Sequence, residues 1–145
     1  MAKQVSSKGL NLIKKFEGFS SAVYVCPGGH ETIGYGHVIL KGDVFGAPIS
    51  KTEAEVLLKN DLLGVESYIY KKVGVLLNQN EFDALASFVF NTGRSAFARS
   101  TLLRQLNEGK KKEAAEQFSR WVYAGGKKLP GLIIRREEES KLFLC

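Results

Sequence analysis

KFEGFSSAVYVCPGGHETIGYGH, residues 15–37, contains the change of pattern on which the fold turns. Up to Glu17, the apolar residues Leu10, Ile13 and Phe16 recur at helical spacing behind a serine cap at Ser6 or Ser7, and Gly18 supplies the stop. From Ser20 to Ile39 the chain changes to short β-type runs, AVYVC and ETIGYG, parted by Pro27, Gly28 and Gly29. Proline presets φ and glycine accepts positive φ, so a hairpin is expected here. Strand alternation puts Thr32 and Gly34 on one face and Glu31, Ile33 and Tyr35 on the other. The glycines suit close approach of a ligand or second backbone, and equally suit plain hairpin geometry.

Glu17 falls in the last helical turn, between Phe16 and Phe19. The negative end of the helix dipole and the apolar neighbours both favour a protonated carboxyl there, as a proton donor requires. Thr32 offers a hydroxyl that accepts and donates, and Cys26 lies between the two at the turn. Taken singly, each has a plainer reading. Glu17 would pair with Lys14 or an arginine, and Cys26 would be a small buried hydrophobe.

Outward from this stretch the chain reads as helices. Ser50 to Glu53 forms a capping box opening a helix to about Tyr70, with Leu58, Leu62, Val65 and Ile69 on one stripe. Asn78 to Glu81 repeats that logic before FDALASFVF, a buried helix ending at Asn91, Thr92 and Gly93. A short helix LLRQLN follows Ser100 or Thr101, and another is expected from about Lys111 to Ala124, stopped by Gly125 and Gly126. Pro130 introduces a final amphipathic helix. A small β element followed by helices makes the class α+β with segregated elements.

With 145 residues, 44% of them hydrophobic, the chain suits one domain with one sizeable core. No stretch approaches the roughly 20 apolar residues of a membrane span, and the first residues show no secretory signal, so a soluble protein finished in the cytoplasm is expected. Its cysteines, Cys26 and Cys145, should then be free thiols. The net charge of +6 points to anionic partners, yet no basic cluster matches a nucleic-acid motif. No metal or cofactor motif is present, since His30 and His37 lack the spacing of a Cys-x-x-Cys or His-Glu-x-x-His site.

Glu17, Cys26 nine positions on, and Thr32 six further on within ETIGYGH resemble the Glu, Asp/Cys, Thr triad of phage-type lysozymes, the endolysins of tailed bacteriophages. SFVFNTG, STLLRQLNEG, AAEQFSRWVYAGG and GLIIRREEE also resemble that family's segments, in the same order. The resemblance implies a lysozyme-like fold: a β-containing lobe at about 18–49, a linking helix at about 50–71, and a helical lobe at about 72–145 that takes in the N-terminal helix, with a cleft between the lobes. It implies an N-acetylmuramidase that cuts the β-1,4 bond between N-acetylmuramic acid and N-acetylglucosamine in peptidoglycan. Glu17 matches the general acid and Thr32 the residue assisting the water. Cys26 matches a position that some relatives fill with aspartate.

The resemblance also implies a His37 to Asp61 pair, an arginine of the final helix, Arg135 or Arg136, reaching Glu17, and cleft contacts from Phe90, Asn91, Ser100 and Thr101. By itself Phe90 reads equally as core or cleft wall. The role of Cys26 stays open among a base of lowered pKa, a hydrogen-bonding partner for water, and a thiolate nucleophile. Implied partners are peptidoglycan glycan strands and a holin that permeabilises the host membrane, with the enzyme held in the host cytoplasm until then and acting as a monomer. The competing readings are a cationic protein that perturbs envelopes without catalysis and a lytic transglycosylase.

Overall fold

Residues 3–26, 28–40, 43, 45 and 47–145 are described by the computed structural model. The chain begins with α1 (Ser7–Glu17), where the Ser6 side chain accepts the Gly9 N–H and Gly18, at φ 71°, ends the helix by donating to the Lys14 carbonyl. Ser6 is itself held by Asp83 of a later helix, so the cap also docks α1 against the body of the protein.

A three-stranded antiparallel sheet follows, β1 (Ser20–Val25), β2 (Glu31–Gly34) and β3 (His37–Val38), in that order. The expected hairpin is present as β1 and β2, with Tyr24 opposite Thr32 and an irregularity between Ser20 and Tyr24. Of its turn, Gly28 and Gly29 are described and Pro27 lies outside the described residues. The Gly29 N–H donates to the Cys26 carbonyl at 2.8 Å, closing the turn. The third strand was not foreseen: Gly34 and Gly36, at φ 68° and 73°, fold the chain back within ETIGYGH. Alternation gives no clean division of burial, because Glu31 is exposed while Thr32, Ile33, Gly34 and Tyr35 are all buried. The central strand β2 packs on α2.

The helix α2 (Lys51–Lys72) opens with the expected capping box at Ser50 and Glu53 and buries Ala54, Leu58, Leu62, Val65 and Ile69. The capping box of Asn78 and Glu81 starts α3 (Gln79–Thr92), whose residues from Glu81 to Val89 are all buried. Around it lie α4 (Arg94–Ala98), α5 (Thr101–Asn107), α6 (Lys111–Gln117) and the closing α7 (Pro130–Leu144), with Pro130 in its first turn. Phe88 of α3 meets Phe97, Phe118 and Trp121 edge-on at 5.3 to 6.4 Å, an aromatic centre for the helical part.

One expected element is corrected. The helix foreseen to Ala124 stops at Gln117, a 3-10 turn covers Phe118–Arg120, and Tyr123–Ala124 and Lys127–Lys128 form a small hairpin, β4 and β5. Gly125 and Gly126, at φ 59° and 79°, are the two positive-φ residues that a tight hairpin turn requires. Two glycines together therefore reverse the chain here, where one would have capped a helix. The short α4 was also not anticipated, having five residues and no regular apolar stripe.

Candidate active site

The end of α1, the β1–β2 turn and the end of α3 surround a cleft of about 530 Å³. Its walls include Glu17, Cys26 and Thr32, together with Tyr24, Phe90 and Asn91. The three residues of the candidate triad thus face one space, although they come from a helix, a turn and a strand. Phe90, half-buried, is a cleft wall that also packs on the core.

Glu17 is the final residue of α1, with its side chain 19% exposed. Of the two candidate arginines, Arg135 reaches it: Nη1 donates to Glu17 Oε2 at 2.7 Å. Lys14, the other candidate partner, is drawn to Glu55, whose carboxyl it holds below the usual range. The charge-assisted hydrogen bond from the guanidinium fixes the orientation of the carboxyl group. On the opposite side, Gly36 backs the carboxylate so closely that a Cβ there would stand 2.7 Å from Oε1.

Arg136 turns elsewhere. Its Nη2 donates to Asn91 Oδ1, and its guanidinium lies 5.0 Å from the centre of the Phe88 ring. Burial brings Arg136 down to about 10, against the pull of Glu139. Arg135, only 3% exposed, also meets Ser87 and Glu139.

On the other side of the cleft, the His30 carbonyl accepts both the Cys26 N–H at 2.9 Å and the Thr32 hydroxyl at 3.0 Å. The same turn lowers the Cys26 thiol from its ordinary value. Hydrogen bonding from the His30 backbone is the chief cause, desolvation opposes it, and the Thr32 hydroxyl and Gly28 backbone add to it. A thiol so placed ionises more readily than a free one, which bears on the basicity that a neutral cysteine lacks. Tyr24 is pushed the other way, first by burial and then by the negative charges of Glu17 and Cys26. Asp43, a carboxylate six residues after His37, accepts the Leu40 N–H at 3.1 Å and does not line the cleft.

His37 on β3 meets Asp61 of α2, with Nδ1 2.8 Å from Oδ2, and so ties the sheet to the long helix. Burial raises the Asp61 carboxyl, and the hydrogen bond to His37 opposes that rise. Ser100 and Thr101 do not line this cleft. The Ser100 hydroxyl donates to the Phe97 carbonyl at 2.7 Å and accepts the Leu103 N–H at 3.0 Å, so capping α5 occupies it, and Thr101 begins that helix.

Gly36, Tyr24, Ser87 and Glu139 were not singled out from sequence. For Ser87 a signal existed, because Asp83 and Ser87 stand four apart in the otherwise apolar run FDALASFVF; both are fully buried. Among the described residues no group of three or more His, Cys, Asp or Glu side chains is arranged to hold a metal ion, and no helix is long and apolar enough to cross a membrane.

The sequence model of the phage lysozyme family matches residues 14–139. The endolysin of Acyrthosiphon pisum secondary endosymbiont phage 1 is 43% identical over 145 aligned residues, covering 96% of this chain and 97% of that protein. The endolysin of Bacillus phage PZA is 41% identical over 97% of this chain but only 55% of its own length, so the chain spans about half of that relative. Among solved structures, the muramidase domain of SpmX from Asticaccaulis excentricus superposes with a TM-score of 0.89 at 40% identity, covering 98% of each chain. A family model spanning nearly the whole chain, relatives above 40% identity and a matching mixed fold together establish that this protein belongs to the phage lysozyme family and is an enzyme of the lysozyme type.

Proposed function

We propose that the chain is a single catalytic domain that hydrolyses the β-1,4 bond between N-acetylmuramic acid and N-acetylglucosamine in bacterial peptidoglycan. The observation carrying this reading is the shared cleft, in which a helix-end carboxylate faces a thiol and a hydroxyl. Glu17 acts as the general acid and gives its proton to the glycosidic oxygen as the bond breaks. Positive charge then spreads over the ring carbon and ring oxygen in an oxocarbenium-like transition state. Cys26 and Thr32 hold the water that attacks from the far face, inverting the anomeric carbon; the proton this water sheds passes to solvent, from which Glu17 is reprotonated.

So strong an electrophile needs a well-aimed water more than a strong base, which suits a cysteine where a carboxylate would otherwise stand. Phe90 and Asn91 supply contacts to the glycan strand. The net charge of +6 favours approach to an anionic envelope. In a phage cycle the enzyme would act as a monomer, reaching the wall from the host cytoplasm once a holin-type protein opens the membrane and so ending the cycle in lysis.

Release of reducing ends from purified peptidoglycan tests the reading. Wild type should release them and Glu17→Gln should fall by about 10³-fold, since the amide has no proton to give. Mass spectrometry should find reducing N-acetylmuramic acid. A 1,6-anhydro product would mark a transglycosylase instead, and equal release by Glu17→Gln would remove Glu17 from the chemistry.

A further inference from the structure

Two carboxylates share the guanidinium of Arg135. Nη1 donates to Glu17 at 2.7 Å, while Nε donates to Glu139 Oε2 at 3.3 Å and Nη2 to the Ser87 carbonyl at 3.2 Å. Glu139 is fully buried and does not line the cleft. Its Oε2 also accepts the Ser87 hydroxyl at 2.5 Å, and its Oε1 lies 3.0 Å from Arg136 Nε. That last contact is ionic only, because neither atom has a hydrogen-bond partner. The chain of charges Glu17, Arg135, Glu139, Arg136 thus alternates in sign from the cleft into the interior.

We propose that Glu139 is a positioning residue that governs, through Arg135, how readily Glu17 keeps the proton it donates. The inference rests on Glu17 being the acid. With Glu139 ionised, the group behind Glu17 is two arginines and one carboxylate, a net single positive charge. Without it, Glu17 faces two positive charges, and only the neutral Ser87 still competes for the N–H groups of Arg135. Because Arg135, Arg136 and Glu139 are buried, that difference favours an ionised Glu17 and costs the enzyme its acid. Glu139 therefore offsets part of the charge of an arginine that holds Glu17 in place but would otherwise favour its ionised form.

The surroundings leave this control to Glu139. On α1, Lys15 is drawn to Glu138 and Lys14 to Glu55. From α3 come only the neutral Ser87 and Asn91, each already bonded to this cluster. Tyr24 and Cys26 approach from the sheet, and His37 with Asp61 stands across the cleft. Burial raises the Glu139 carboxyl above its ordinary value, although both arginines and the Ser87 hydroxyl oppose the rise.

Measuring kcat/KM on purified peptidoglycan across the pH range, beside thermal unfolding, tests the proposal. Glu139→Gln keeps the shape and removes the charge. Its alkaline limb should move about one pH unit lower, a loss of about tenfold at the alkaline end with the acid side little changed. Glu139→Asp, which keeps the charge but withdraws it by one methylene, should move the limb the same way by about threefold in rate. A lowered melting temperature with the limb unmoved would mean a purely structural residue and overturn the proposal. Should Glu139→Gln fail to fold, the position of the limb in Glu139→Asp decides by the same criterion. An active Glu17→Gln enzyme would instead overturn the reading of the acid, whatever Glu139 does.

Discussion

The two sides of the cleft are built to different standards of rigidity. On the acid side, Glu17 ends a helix, is gripped by a buried arginine at 2.7 Å, and has the backbone of Gly36 against its other oxygen. On the water side, a half-buried Cys26 and a buried Thr32 share one backbone carbonyl in a turn. A general acid must meet the glycosidic oxygen within a few tenths of an ångström, and such placement needs neighbours that leave one position open. Water can adjust to its partners. The side that holds it tolerates a thiol because the demand there is for hydrogen bonding more than for basicity.

If the comparison holds, the acid side should fail sharply when crowded. Gly36→Ala places a Cβ 2.7 Å from Glu17 Oε1 at a residue whose φ is 73°, and should lower kcat/KM by about 100-fold while the protein still folds. Gly34→Ala is its control, since a similar φ of 68° accompanies a Cβ that meets Ala54 at 3.1 Å, away from the acid. That variant should lose stability on denaturant titration and keep more of its turnover. Equal loss of kcat/KM in both would show that strand geometry, and not the position of Glu17, is what matters.

The water side should degrade by degrees. Cys26→Ala should cost about tenfold in activity, with Cys26→Ser recovering part of it and Cys26→Asp retaining activity, because each restores a polar atom beside the water. A fully active Cys26→Ala enzyme would break the comparison by removing the cysteine from the mechanism. The lowered thiol has a separate consequence. Alkylation of Cys26 by iodoacetamide, followed by mass spectrometry, should rise with pH at lower values than for an ordinary cysteine peptide, as the His30 backbone stabilises the thiolate. Coincident curves would mean that the turn does not activate the sulfur.

The same division explains what the sequence disclosed. Caps at Ser50 and Asn78, the stripe of α2 and the β1–β2 hairpin were legible because their causes lie within a few residues. Local chemistry misled where two structures share one signal, as at Gly125 and Gly126, which close a hairpin and do not cap a helix. The same holds for Ser100, whose capping role can be read directly but whose absence from the cleft cannot. The acid side was the least legible in detail. Choosing between Arg135 and Arg136 requires knowing which face of α7 meets α3, and Glu139 reads as one more charge in RREEES until that packing is known.

His37 and Asp61 join the two parts of the molecule and permit a quieter test of how they are held together. Removing the carboxylate with Asp61→Asn should destabilise the fold by about 1 kcal/mol, the worth of one hydrogen bond between partly buried groups. Its pH dependence separates a buried carboxyl from a simple ion pair. Burial is the main influence on Asp61 and raises it in the folded state. Folded protein therefore binds that proton more tightly than unfolded protein, and the stability this contributes is complete below the unfolded value and lost as pH rises through the folded one. The advantage of wild type over Asp61→Asn should accordingly shrink as Asp61 ionises, measured by urea unfolding at a series of acidic to neutral pH values. An advantage that grew over that window would mean that attraction to His37 outweighs the cost of burying the charge. The joint between sheet and helix would then be an ion pair first and a packing contact second.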